Sequence, residues 1–309
     1  MMKLALGTVQ FGLDYGISNQ HGQVSKNEVF DILAQAHTLH IDTLDCAGAY
    51  GNSEKILGDL QAGQRFNIVS KIPALSAAQD SIMPFFTQSL ADLKCDSIDT
   101  LLFHQADNLL NHPHKAQLFA QIEYLKAQQL VNNIGVSLYS PEQLLAITNT
   151  YVIDKIQVPI NVFDQRFISE PMLQHCVDKK LKVHARSLFL QGLLFIEHPK
   201  LNAYFIPYKA KLKAFDDLAQ HLSCSKLTLA LALLAQDSHN DSYSKAHDNT
   251  TNSATSVIEK IVVGICNTKQ LTEIVSAYQK AKSLTISTKE LHSLADLRLG
   301  FINPSLWQL

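Results

Sequence analysis

The sequence predicts a single-domain α/β chain whose parallel strands close into an eight-stranded (β/α)8 barrel. Three observations lead there. Short apolar, β-branched runs alternate with longer amphipathic stretches about eight times, the order that builds a parallel sheet under helices. Most of these runs lack strict polar alternation, as strands covered on both faces do. Three successive runs also deliver an ionisable residue at the C-terminal end, where a barrel of parallel strands carries its active site. The competing topology, an open doubly wound sheet, usually announces itself by G-x-G-x-x-G after the first strand. No such run is present.

Taken in order, the strand candidates are 3–6, 41–44, 67–70, 100–103, 133–136, 155–158, 182–185 and 261–263. Helix starts lie between them. Ser25 with Glu28 forms the pattern of a capping box ahead of Val29, Ile32, Leu33 and Ala36. Ser140, with Pro141 in the first turn and Gln143, forms a second. Ser225 precedes an apolar run from Leu227 to Leu234, and Ser287 with Glu290 opens a last helix. One stretch breaks the rhythm. Residues 237–256 are polar, with almost no large apolar group. Such a segment cannot offset its ordering entropy by burial, and the expectation is a mobile insertion ahead of the eighth strand. No internal repeat and no domain linker is evident.

Composition narrows the function classes. With 309 residues and 46% hydrophobic content the chain can bury one large core. A net charge of -2 with no basic stripe argues against nucleic acid as the main partner. The opening residues lack the apolar core of a signal peptide, and no uncharged apolar stretch approaches the length of a membrane span. The cysteines at 46, 95, 176, 224 and 266 are odd in number and widely spaced. They fit neither a disulfide framework nor a Cys-x-x-Cys metal site. The expectation is a reduced, cytoplasmic compartment, with no membrane partner, no metal and no sign of the oligomeric state.

Asp45 and Tyr50 lie five residues apart where the second strand opens into a glycine-flanked loop; Lys71 follows the third strand and His104 the fourth. An isolated tyrosine is a weak acid at neutral pH. A lysine ammonium nearby is expected to lower its pKa, and a carboxylate paired with that lysine would hold it charged and oriented. The product is a general acid/base able to give a proton to a carbonyl oxygen or take one from an alcohol. An imidazole opposite can hydrogen-bond the same oxygen. This set moves protons but supplies no electrons, so reduction requires a separate hydride source, usually a nicotinamide. Taken singly, Asp45 and Tyr50 also suit an ordinary turn. Lys71 is harder to explain without function, because it would close an apolar strand with a buried charge.

These residues sit in a longer pattern. Leu6-Gly7-Thr8-x-x-Phe11-Gly12, Asp45-Cys46-Ala47-x-x-Tyr50-Gly51-x-Ser53-Glu54, Ser70-Lys71, Asp99-x-Leu101-Leu102-x-His104, Gly135-Val136-Ser137 and Gln157-x-x-x-Asn161 follow in order along nearly the whole chain. Together they resemble the aldo-keto reductases. That resemblance implies a TIM barrel and an NADPH cofactor, with NADH the alternative, bound without a Rossmann domain. It implies Tyr50 as the acid, Lys71 and Asp45 as its tuners, and His104 as the group that orients a carbonyl or sugar substrate. It puts Gly7, Thr8 and Asp45 near the nicotinamide ribose, and Ser137 and Gln157 at the carboxamide. Ser187, Leu188, Gln191 and Gly192 fall in the pyrophosphate loop after the seventh strand. Gly264, Asn267, Gln270 and Glu273 fall at the adenosine-phosphate end.

The chain departs from the family pattern at several points. Leu138 stands where Asn is common, Gln270 where many members have Arg, and Ile274 where many have Asn. Losing that Arg removes a bidentate grip on a 2′-phosphate and leaves Lys269 as a substitute point charge. Arg186 replaces the aromatic residue that stacks on the nicotinamide; a planar guanidinium can stack there or reach a phosphate or a substrate anion. Two other functions stay open on sequence alone: a nicotinamide-binding sensor with little turnover, and a metal-dependent hydrolase on the same barrel. His112-Pro113-His114 has the spacing of a metal-ligand pair, but it reads better as two exposed loop histidines. Cys46 reads as a small packing residue, and Trp307 as part of the core.

Overall fold

A computed structural model describes residues 2–236 and 257–309. Residues 237–256, expected to be an insertion, lie outside the described part. Eight parallel strands form a closed barrel in sequential order: β1 Leu4–Gly7, β2 Thr43–Asp45, β3 Asn67–Ile72, β4 Ile98–Phe103, β5 Val131–Ser137, β6 Lys155–Pro159, β7 Lys182–Arg186 and β8 Ile258–Gly264. Closure is made by β1 against β8, with Leu4 opposite Ile261 and Gly7 opposite Gly264. Each expected strand is present. Several run one to three residues further, because apolar periodicity does not mark where ladder pairing stops.

The helices form the outer layer, and their starts follow the capping chemistry. Ser140 and Gln143 make a reciprocal capping box with Pro141 in the first turn, as do Ser287 and Glu290. Ser225 caps Lys226–Ala235 through the Thr228 N–H. At Ser25 only half of the expected box forms. Its hydroxyl accepts from the Glu28 N–H, but the Glu28 carboxylate turns away and accepts from the Thr268 N–H at 2.8 Å. Glu28 thus ties the first long helix, Lys26–Thr38, to the free N–H groups that open Thr268–Lys282.

The N-terminal end of the barrel is plugged by charge. Lys155 reaches Asp99 at 3.4 Å and Glu259 at 3.0 Å, His184 lies 2.8 Å from the same Glu259 carboxylate, and Lys260 pairs with Asp42. The opposite end is open and carries the loops. Trp307 packs edge-on against Phe205 and donates its indole N–H to Phe301 O at 3.1 Å, so it closes over the core as expected. Among the described residues no single helix is long and apolar enough to cross a membrane.

Candidate active site

The loop after β2 is built to hold Tyr50 still. The Cys46 N–H donates to Val69 O, the Tyr50 N–H to Ala47 O and the Ser53 N–H to Tyr50 O, all within 3.1 Å. Gly12 makes this seating possible, since a Cβ there would fall 1.8 Å from Tyr50 O. Gly51 takes φ +57 to turn the chain just after the tyrosine. Beneath the loop the buried Glu54 accepts from Ser70 Oγ at 2.5 Å, with Cys46 Sγ 3.7 Å away. Helix Ser53–Asp59 is thereby fastened to β3, one residue before Lys71. Cys46 is fully buried, as a packing residue should be, and burial followed by the Glu54 charge drives its thiol pKa well up.

Lys71 is 1% exposed. Its ammonium donates to both Asp45 oxygens, at 2.8 and 2.9 Å, to Cys46 O at 2.8 Å and to Tyr50 Oη at 3.3 Å. Gln157 Nε2 donates to the same carboxylate at 2.6 Å. Burial disfavours the charged form of this lysine, but Asp45 and then Tyr50 outweigh that effect and raise its pKa. His104 faces the Tyr50 ring edge-on with centroids 5.8 Å apart. Burial first, then the Lys71 charge, pushes its pKa down to about 4, so the imidazole is neutral at pH 7. Asp45, Tyr50, Lys71 and His104, separated in sequence, therefore meet at one point.

One electrostatic expectation is reversed. Tyr50 has a raised pKa, not a lowered one. Burial penalises the phenolate more than Lys71 favours it, and the ammonium is already matched by Asp45. In this state Tyr50 is firmly a phenol.

A cavity of about 800 Å³ opens at the C-terminal ends of the strands. Tyr50, His104, Asp45 and Gln157 line its inner part together with Gly7, Thr8 and Arg186; Ser187, Leu188, Gln191 and Gly192 line one side, and Gly264, Gln270 and Glu273 the far end. Three sequence candidates are not in the wall. Lys71 stands behind it, touching Tyr50. Ser137, 1% exposed, is buried behind the end of β5. Asn267 is the N-cap of Thr268–Lys282, its side chain accepting from the Gln270 N–H, while Gln270 Oε1 accepts from the Cys266 N–H at 2.7 Å. Asn267 three residues ahead of Gln270 is an N-cap, not the ligand-facing residue the family resemblance implies. Gln10, Tyr15, Tyr139 and Phe189, not among the sequence candidates, also line the wall. Gln10 was within reach, since it lies inside the opening motif. Tyr15 and Tyr139 come from loops whose path no periodicity fixes.

The loop after β7 is bent sharply. Leu190, Gln191 and Gly192 have φ of 48, 54 and 92, and a Cβ on Gly192 would lie 1.8 Å from Ser18 Oγ. Ser18 also donates to Gln191 O at 3.4 Å. The loops after β1 and β7 therefore touch beside the cavity. His112, expected to be exposed, is 6% exposed and lies 2.9 Å from Ser76 O. No group of three potential metal ligands exists among the described residues.

Comparison with known proteins places these features in context. The model of the aldo/keto reductase family matches residues 3–295. Oxidoreductase YdhF of Escherichia coli (strain K12) is 27% identical over 181 residues, 54% of this chain and 57% of that protein. Oxidoreductase YcsN of Bacillus subtilis (strain 168), described as uncharacterized, is 28% identical over 182 residues, 51% of this chain and 59% of that protein. The chain thus spans little more than half the length of these two relatives. The holo form of aldo-keto reductase AKR11C1 from Bacillus halodurans superposes with a TM-score of 0.67 at 18% identity, covering 94% of this chain and 95% of that one. PA4992 of Pseudomonas aeruginosa gives 0.61 at 22% identity, covering 90% of each chain. At such identities the structural likeness speaks to the fold alone.

Proposed function

This chain belongs to the aldo/keto reductase family, and on that premise we propose that it is an NAD(P)H-dependent oxidoreductase interconverting an aldehyde, ketone or sugar carbonyl with the alcohol. The observation that carries the reading is the buried ammonium of Lys71 held between the Asp45 carboxylate and the Tyr50 hydroxyl. A structural ion pair has no need to end on a phenol that faces a cavity.

The geometry supports the following roles. A carbonyl oxygen placed between Tyr50 and His104 accepts hydrogen bonds from the phenol and from the neutral imidazole. A nicotinamide held by Gly7, Thr8 and Gln157 would supply the hydride that the carbonyl carbon needs. As negative charge builds on the oxygen, Tyr50 gives up its proton. The resulting phenolate is stabilised by the Lys71 ammonium, which Asp45 and Gln157 keep in place. In the oxidative direction the phenolate takes the alcohol's proton, so its raised pKa makes oxidation an alkaline reaction.

The residues present suit such a cofactor. Gln10 Oε1 is buried without a hydrogen-bond partner, and its amide lies over Gly264, where a Cβ would come within 2.7 Å of Gln10 Nε2. That orphaned acceptor belongs to a residue that lines the cavity at the end of β8. Gly7, Thr8 and Gln157 would hold the nicotinamide end, and Ser187, Leu188, Gln191 and Gly192 the pyrophosphate. Gly264, Gln270 and Glu273 would hold the adenosine end. NADPH is the cofactor proposed, with NADH the alternative, and Lys269 would offer a 2′-phosphate a point charge. The test is titration with NADPH and NADH, followed by turnover over a panel of aldehydes, ketones and sugars. Binding of a nucleotide together with its carbonyl-dependent oxidation is expected. Failure to bind either nucleotide would overturn the proposal, and tight binding without turnover would point to a sensor.

A further inference from the structure

Arg186 ends β7 and lines the cavity alongside Tyr50 and His104. Its guanidinium lies 4.2 Å from the centre of the Tyr139 ring. Nη1 donates to Ser187 Oγ and Nη2 to Leu138 O, each at 3.2 Å. Both acceptors are neutral. Among the described residues, Arg186 has no carboxylate within ion-pair distance, whereas Arg166 grips Asp164 and Arg298 grips Asp296. The stack and the two hydrogen bonds fix the plane of the fork and leave other N–H donors unused.

The surroundings make this charge conspicuous. The Lys71 charge is matched by Asp45, and His104 is neutral at pH 7. Around the proposed reaction point Arg186 therefore supplies the unbalanced positive charge. Its field reaches that point: it adds to the downward push on His104 and opposes, without overcoming, the upward shift that burial gives Tyr50. In a ring of eight sequential strands, β7 stands opposite β3, which carries Lys71. A small molecule with its carbonyl at Tyr50 and His104 would extend toward the guanidinium. A planar, pre-oriented fork suits a two-oxygen anion.

We propose that the carbonyl substrate carries a carboxylate and that Arg186 receives it, an inference that rests on the reductase reading above. The substrate class is then that of oxo acids and acidic sugars.

The experiment compares matched substrates on protein saturated with the tighter nucleotide. The pairs are succinic semialdehyde against an uncharged aldehyde of similar length, and glucuronate against glucose. Glyceraldehyde 3-phosphate against glyceraldehyde forms the phosphate arm. The acid of each carboxylate pair should be preferred in kcat/KM by about 10- to 100-fold, as expected of a charge-assisted hydrogen-bonded pair. In Arg186→Met the ratio should fall toward one, by more than nucleotide affinity falls, and Arg186→Lys should be intermediate. Calorimetry with succinate on the nucleotide-loaded protein reads the same contact without turnover; binding lost in Arg186→Met supports the proposal.

Four outcomes would overturn it: no preference for the acid, preference for phosphate over carboxylate, loss of nucleotide affinity in Arg186→Met with the ratio unchanged, or no succinate binding to the wild-type protein. If succinate binds through Arg186 but no carbonyl turns over, the reductase reading fails and the anion site stands.

Discussion

Replacing Lys71 with Met removes one charge from a site that has nowhere to put the other. The Asp45 side chain is 5% exposed and the Lys71 side chain fully buried. In Lys71→Met the carboxylate keeps only the Gln157 amide, at 2.6 Å, from its present side-chain donors. Breaking a buried pair by removing one partner costs about 3–5 kcal/mol. With about 2.1 cal/mol/K of unfolding entropy per residue, a chain of 309 residues loses roughly 5–8 °C in Tm for that cost. Lys71→Met combined with Asp45→Asn removes both charges and should recover more than half of the loss. A double-mutant cycle by denaturant unfolding at pH 7 reads the coupling directly. A single-variant loss below about 1 kcal/mol, the value typical of solvent-screened pairs, would refute the reasoning.

Other predictions follow from the same geometry. Because the Tyr50 pKa is raised, carbonyl reduction should be flat through neutral pH, while alcohol oxidation should climb with pH to and beyond 10, the ordinary tyrosine value; an oxidation rate that plateaus near pH 7 contradicts this. His104 titrates near 4 in the folded protein, below its ordinary value of 6.5. Between those values the unfolded chain binds the extra proton, so folding stability should rise with pH across that window. His104→Gln should flatten that rise in a Tm-versus-pH series. At the opposite end of the barrel burial raises the Glu259 pKa, but the His184 hydrogen bond and Lys155 overcome it and hold it at about 2. Its contribution is present above the unfolded value near 4.5 and is lost as pH falls toward 2; Glu259→Gln should remove that acid-labile component. Gly192→Ala forces a Cβ against Ser18 and strains a left-handed residue by about 1–3 kcal/mol. It should weaken nucleotide binding by about tenfold or more, measured by fluorescence titration.

How far the sequence reached depends on what kind of physics each feature uses. Most of the barrel strands were legible because they are short runs rich in apolar residues, and four of the helices between and after them open on a capping serine. Lys71 was legible because a charge closing an apolar strand is costly unless it has a partner, whereas Asp45, Tyr50 and His104 were legible only through the pattern they share with it. Periodicity does not show which way a side chain turns once its element is formed. Glu28 has the spacing of a capping box and instead caps a helix 240 residues away. Asn267 and Gln270 have the chemistry to meet a ligand, but both turn an oxygen to local backbone N–H groups. Charge balance was equally out of reach. The direction of the Tyr50 shift depends on how deeply the phenol is buried and on Asp45 already matching Lys71, and neither can be read from spacing along the chain.

Tyr50 is proposed as the proton donor in a nicotinamide-linked carbonyl reduction. Tyr50→Phe keeps the ring, its edge contact with His104 and the Lys71–Asp45 pair, and deletes one oxygen. Single-turnover reduction by the nucleotide-saturated variant should slow by about 10²- to 10⁴-fold, with nucleotide affinity largely retained. Wild-type turnover in that variant would contradict the account.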